Sequence, residues 1–191
     1  MADEEGPQCD ALSRARSGDA AAFSALVRRH QPRVYSLALR MVWDRHAAED
    51  LAQEVFMQLY RRLARVQSDT HLLFWLRQVT LRLAIDRLRR EATHRVVPLE
   101  EGLNVAAEPS ESDPLLQRRL HALVAQLPAA ARAVVLLRYQ EDLDPIDIAA
   151  TLDMPVNTVK SHLKRSLEEL RTQLASGGGS TGTSPAGATR R

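Results

Sequence analysis

Apolar residues return every three or four positions through most of this chain, the period of a helix with one buried face. The cleanest case is residues 47–63, where Leu51, Val55, Phe56, Leu59 and Leu63 form the stripe. Asp50, Gln53, Glu54, Gln58, Arg61 and Arg62 fall mostly on the other side, acidic end first, as a helix dipole favours. Upstream, Phe23, Leu26, Val27, Val34, Leu37, Ala38, Met41 and Val42 keep helical spacing after Asp19, which suits the cap of a helix starting near Ala20. Pro32 lies inside that run and predicts a kink or a break. Arg28, Arg29, Arg33 and Arg40 lie off its apolar face. After a polar loop over residues 65–70, a third helix is predicted over 71–91, with Leu72, Trp75, Leu76, Val79, Leu83 and Leu88 inward. Residues 115–127 and 129–139 are two more, separated by Pro128.

Residues 144–171, DPIDIAATLDMPVNTVKSHLKRSLEELR, read as two short helices joined by a tight turn. Asp144 can cap the first and Pro145 suits its first position. Ile148 and Leu152 share a face, while Ala149 and Ala150 permit close approach of another helix. Asp153-Met154-Pro155 interrupts the pattern, and a second helix runs from about Val156 with Val159, Leu163, Leu167 and Leu170 on its apolar side. The opposite side carries Asn157, Thr158, Lys160, Ser161, Lys164 and Arg165. A helix-turn-helix has this form: the first helix braces the second, which enters a major groove. Lysine and arginine there reach base edges or phosphates, and the short polar side chains bond phosphate oxygens. Taken alone, the stretch reads equally well as a helical hairpin with a solvated basic face.

Periodicity fails in three places. Residues 1–18 are acidic and polar at first, with at most a short helical turn over 11–16, and are expected to be a flexible leader. Residues 93–114 are acidic, contain prolines and read as a flexible linker. Residues 176–191, rich in glycine, serine and threonine, are expected to be a disordered tail. The predicted fold is therefore all-α: two small helical domains, over 19–92 and 115–175, joined by a flexible linker.

Composition narrows the chemistry. The 191 residues carry a net charge of only +2, so any basic surface must come from clustering. The densest cluster is at the end of the third helix, where Arg82, Arg87, Arg89, Arg90 and Arg95 face only Asp86 and Glu91. Phosphate contact is one use of it, and complementing the helix dipole is another. One cysteine, Cys9, excludes an internal disulfide and a multi-cysteine zinc site, and no basic residue stands close enough to it in the leader sequence to mark the thiol as activated. The six histidines lack ligand spacing, and there is no glycine-rich phosphate loop or nucleophile elbow. No catalytic residue, metal or cofactor is expected. No run approaches a membrane span, and a cytoplasmic location is expected.

Together, three blocks in order resemble the extracytoplasmic-function (ECF) group of bacterial sigma-70 RNA polymerase sigma factors. HAAEDLAQEVFMQLYRRL (46–63) is similar to the family's region 2.2 helix, and FWLRQVTLRLAIDRLRRE (74–91) to regions 2.3 and 2.4. LPAAARAVVLLRYQEDLDPIDIAATLDMPVNTVKSHLKRSLEEL (127–170) is similar to region 4, and residues 23–42 stand where region 2.1 does. The resemblance implies a transcription initiation factor that is not an enzyme. Asp50, Gln53 and Glu54 match the polar motif that docks on core RNA polymerase. Trp75, Arg77, Arg82, Asp86, Arg89 and Arg90 fall where relatives recognise and melt the −10 element, with the loop before Trp75 beside the unwound strand. Asn157, Thr158, Lys160, Ser161, Lys164 and Arg165 would read the −35 element. Core polymerase, promoter DNA and an anti-sigma factor are the implied partners. The chain departs from the family at Leu81-Arg82, where an Arg-Asn pair is frequent, and at Asp153, where glycine is frequent. The competing reading is an autonomous helix-turn-helix regulator, which would bind its operator tightly without polymerase.

Overall fold

The computed structural model describes residues 8–94 and 114–176, and these form eight α-helices with no strand among them. Helices α1 (Gln8–Arg16), α2 (Ala20–Val42), α3 (Arg45–Arg62) and α4 (Asp69–His94) make the first group. Helices α5 (Pro114–Gln126), α6 (Ala129–Tyr139), α7 (Pro145–Leu152) and α8 (Val156–Ser176) make the second.

Caps set most of these boundaries. The Asp19 carboxylate accepts from the amides of Ala21 and Ala22 at 2.9 and 3.0 Å, which starts α2 as predicted. Asp44 accepts from Ala47 at 2.7 Å and begins α3 two residues earlier than the apolar pattern suggests. Ser68 Oγ accepts from the His71 amide at 3.1 Å, so α4 starts within the expected polar loop. A single 3-10 turn, Leu63–Arg65, takes up the other end of that loop.

Pro32 neither breaks nor ends α2, contrary to expectation. It is exposed, as is Arg28 four residues earlier, so the carbonyl that loses its amide partner is on the solvent side. The leader also differs from expectation. Leu12 and Ala15 of α1 are buried in the core formed by α2, α3 and α4, which holds a helix where only a turn was predicted. The expected linker and tail lie outside the described residues except at their edges, where 93–94, 114 and 176 are helical.

Two cores lie within the groups. Leu26, Val34, Val55, Phe56, Leu59, Leu72, Leu76 and Val79 pack inside the first. Val124, Leu127, Val135 and Leu170 pack inside the second. A third core joins them. Leu37, Met41, Leu81, Ala84 and Ile85 from α2 and α4 pack with Val134, Leu137, Ile148 and Val159 from α6, α7 and α8. The two groups therefore share one apolar interior, with the C-terminal group docked against α2 and α4.

Candidate nucleic-acid interface

The helix-turn-helix forms as the sequence predicts. Asp144 accepts from the amides of Ile146 and Asp147, both at 2.8 Å, and Pro145 occupies the first turn of α7. Asp153 closes α7 in the left-handed region at φ 50°, a conformation that aspartate tolerates better than most residues. Ile148 and Val159 are fully buried and fix α7 against α8. Asn157, Thr158, Lys160, Ser161, Lys164 and Arg165 are all exposed on α8. From 157 to 165 the helix rises about 12 Å, close to the width of a major groove. Lys160, Lys164 and Arg165 form no ion pair with any described residue, and Ser161 Oγ donates to the Asn157 carbonyl at 2.8 Å.

On α4, helical geometry divides the candidates. Trp75, Arg82, Asp86, Arg89 and Arg90 lie within one arc of the helix, while Arg77 lies roughly 160° around from Trp75. The four charged members of the arc are exposed, and Trp75 is half-buried. Arg82 donates to Gln58 Oε1 of α3 at 3.3 Å, and Arg90 Nε donates to the Asp86 carbonyl at 3.2 Å. Arg77 is turned away from this surface and pairs at 3.2 Å with Glu141, in the turn between α6 and α7. Arg33 of α2 pairs with the same carboxylate. Leu81 is fully buried in the shared core.

Asp50, Gln53 and Glu54 are exposed on α3. Asp50 lies 3.8 Å from Arg87 of α4, and Glu54 accepts from Gln58 at 2.9 Å. Asp50, Glu54, Arg87 and Arg90 line one groove, so the acidic face of α3 adjoins the basic face of α4. Two apolar residues escaped the sequence reading. Met57 and Tyr60 are 47% and 69% exposed on α3, with Tyr60 packed edge-on against Phe23 at 5.2 Å. They lie off the periodic stripe, and that irregularity is the signal that could have found them.

Arg132 also gave no warning in the sequence. It is buried among apolar residues of α6 and donates to the carbonyls of Met41, Ala125 and Leu127. Burial lowers its pKa to about 10, still fully protonated at neutral pH.

Comparison with known proteins gives this surface a context. The Sigma-70 region 2 family matches residues 26–94, and the Sigma-70 region 4 family matches residues 117–170. The chain is 30% identical over 176 residues to the ECF RNA polymerase sigma factor SigW of Bacillus subtilis, covering 85% of this chain and 94% of SigW. The chain belongs to the ECF sigma factors. The sigma factor SigE of Mycolicibacterium smegmatis is 36% identical over 168 residues, covering 83% of this chain and 65% of SigE.

As an ECF sigma factor, the protein is a transcription initiation factor that directs RNA polymerase to promoters, and it is not an enzyme. Its fold recurs in the sigma factor RpoE of Bartonella quintana, solved with the anti-sigma factor NepR, at a TM-score of 0.64 and 22% identity. That match covers 80% of this chain and 96% of RpoE. It recurs also in CnrH, solved with the cytosolic domain of CnrY, at 0.62 and 22%, covering 87% and 96%. Region 2 falls within the first helical group and region 4 within the second. Among the described residues no helix is long and apolar enough to cross a membrane.

Proposed function

We propose that region 4 reads the −35 element through Lys160, Lys164 and Arg165, with Asn157, Thr158 and Ser161 on adjacent phosphates. Region 2 reads and opens the −10 element through the α4 arc of Trp75, Arg82, Asp86, Arg89 and Arg90. The single observation that carries this reading is the clustering of five of the six α4 candidates on one face, beside an exposed basic recognition helix elsewhere in the molecule. Arg77 is assigned instead to the contact with Glu141.

The polar face of α3, with Asp50, Gln53 and Glu54 around Met57, docks on core polymerase. An apolar residue amid exposed polar ones is a common pattern for a protein interface. The same face is the natural target of an anti-sigma factor, since one partner there excludes the other. The protein acts in the cytoplasm, where polymerase and chromosome meet.

Co-purification with core RNA polymerase, followed by run-off transcription from genomic fragments, tests the reading. Stable association and new start sites that require the protein are expected. Tight promoter binding by the protein alone, with no association, would instead identify an autonomous regulator.

A further inference from the structure

We propose that Gln58 of α3 is a positioning residue for promoter binding, whose neutral amide holds Arg82 of α4 in place without cancelling its charge. The inference rests on the assignment of Arg82 to the −10 surface given above.

A hydrogen-bonded row crosses from α3 to α4. Gln58 Nε2 donates to Glu54 Oε1 at 2.9 Å, and Gln58 Oε1 accepts from Arg82 at 3.3 Å. The two neighbours set the direction of the amide. Its hydrogens meet a carboxylate and its oxygen meets a guanidinium, whereas the reversed amide would set donor against donor and acceptor against acceptor. Gln58 is half-buried between these two exposed side chains.

Charge distinguishes this link from the one beside it. Arg87 also reaches from α4 to α3, but its partners are carboxylates, Asp50 of α3 at 3.8 Å and Glu91 of α4 at 2.9 Å. Those carboxylates offset its charge. Arg82 forms no ion pair with any described residue. Asp86 stands four positions further along α4, a spacing at which opposite charges on a helix pair, yet Arg82 reaches across to Gln58 instead. A guanidinium has five N–H donors, and the tether takes one, which leaves about four for a phosphate or a base edge. The tether also orders part of a long side chain before DNA arrives, so less freedom is lost on binding. Without Gln58, Arg82 either loses that order or settles on Asp86, and its contact with DNA weakens in both cases.

The test measures affinity for a fluorescent duplex spanning a start site found by run-off transcription, at saturating core polymerase and over a range of salt. Gln58→Met keeps the stem and removes the amide. Gln58→Glu keeps the link and turns it into an ion pair. Both are compared with the native chain, with Arg82→Ala, and with Arg82→Ala carrying Gln58→Met. Gln58→Met should weaken promoter binding about three-fold, the effect of one modest hydrogen bond. Gln58→Glu should weaken it about ten-fold and lower the salt slope by about 1, because the new carboxylate cancels Arg82. In the Arg82→Ala background, Gln58→Met should cost nothing more. Melting curves confirm that each variant is folded. A tie that merely joins two helices predicts the opposite order, with Gln58→Glu equal to native and Gln58→Met weaker, and that order would overturn the proposal. So would native affinity in both Gln58 variants, or a further loss from Gln58→Met when Arg82 is already absent. Native affinity in Arg82→Ala would take Arg82 off the DNA surface and the proposal with it. Weak binding by Arg82→Ala beside silent Gln58 variants would leave the promoter reading standing and strike out Gln58 alone.

Discussion

The guanidinium of Arg132 in α6 donates to the carbonyl oxygen of Met41 near the C-terminal end of α2. The same group reaches the carbonyls of Ala125 and Leu127 at the end of α5, the latter at 3.3 Å. Helix C-termini leave carbonyls without partners, and a buried cation there also meets the negative end of two dipoles. Arg132→Met keeps most of the volume and removes every donor. The lost bonds outweigh the relief of burying a charge, so a destabilisation of about 1–3 kcal/mol is expected. Urea unfolding followed by circular dichroism checks it.

The helix-turn-helix depends on its cap. Asp144 satisfies two amides of α7, at Ile146 and Asp147. Asp144→Ala should cost about 1 kcal/mol, and Asp144→Asn much less. Because α7 braces α8, promoter affinity of the polymerase complex should fall with Ala and recover with Asn. Unfolding and promoter binding measured on the same three proteins would show whether the cap matters for both.

The recognition helix should show its charges in salt dependence. Each neutralised phosphate contributes about 0.9 to the slope of log affinity against log salt. Lys160→Ala with Arg165→Ala should reduce that slope by up to about 2 for the polymerase complex, leaving polymerase association unchanged. A salt titration of promoter binding reads the slope. An unchanged slope would take these side chains off the DNA.

Charge reversal on α3 should act on the other partner. Asp50→Arg with Glu54→Arg places cations beside Arg87 and Arg90, which line the same groove. Like charges at an interface are strongly unfavourable, so association with core polymerase should weaken at least tenfold, or about 1.4 kcal/mol. Circular dichroism confirms the fold, and co-elution with polymerase gives the affinity.

Acid should destabilise the chain through His30. Burial first, then the positive charge of Arg29, hold its imidazole below the usual range; Asp69 pulls the other way, and Arg33 adds a smaller lowering. Its Nε2 is buried without a hydrogen-bond partner. The unfolded chain protonates this group near pH 6.5, whereas the folded chain resists until lower pH. Stability therefore falls as pH drops through about 6.5 to the folded pKa and levels off below it. The melting temperature should be lower at pH 5.5 than at 7.5, and His30→Leu should shrink that difference. His121, lowered by burial and by Arg40, accounts for part of the remainder.

The amino-acid sequence by itself determined the helices and the faces they expose. Helical period, Asp19 and Asp144 as caps, and Pro128 as a stop are local signals, and they place α2, α6 and α7 closely. The exposed row from Asn157 to Arg165 follows from the same spacing. The packed structure alone decided what meets across the chain. That α2 runs through Pro32 depends on which side of the helix meets water. That α1 forms depends on Leu12 and Ala15 finding a core made by later helices. Arg77 reads in sequence as one more basic residue near a DNA face, yet its partner lies 64 positions away. Arg132 is separated from Met41 by 91. Periodicity records which residues turn inward within one helix, but not which of those inward faces find each other.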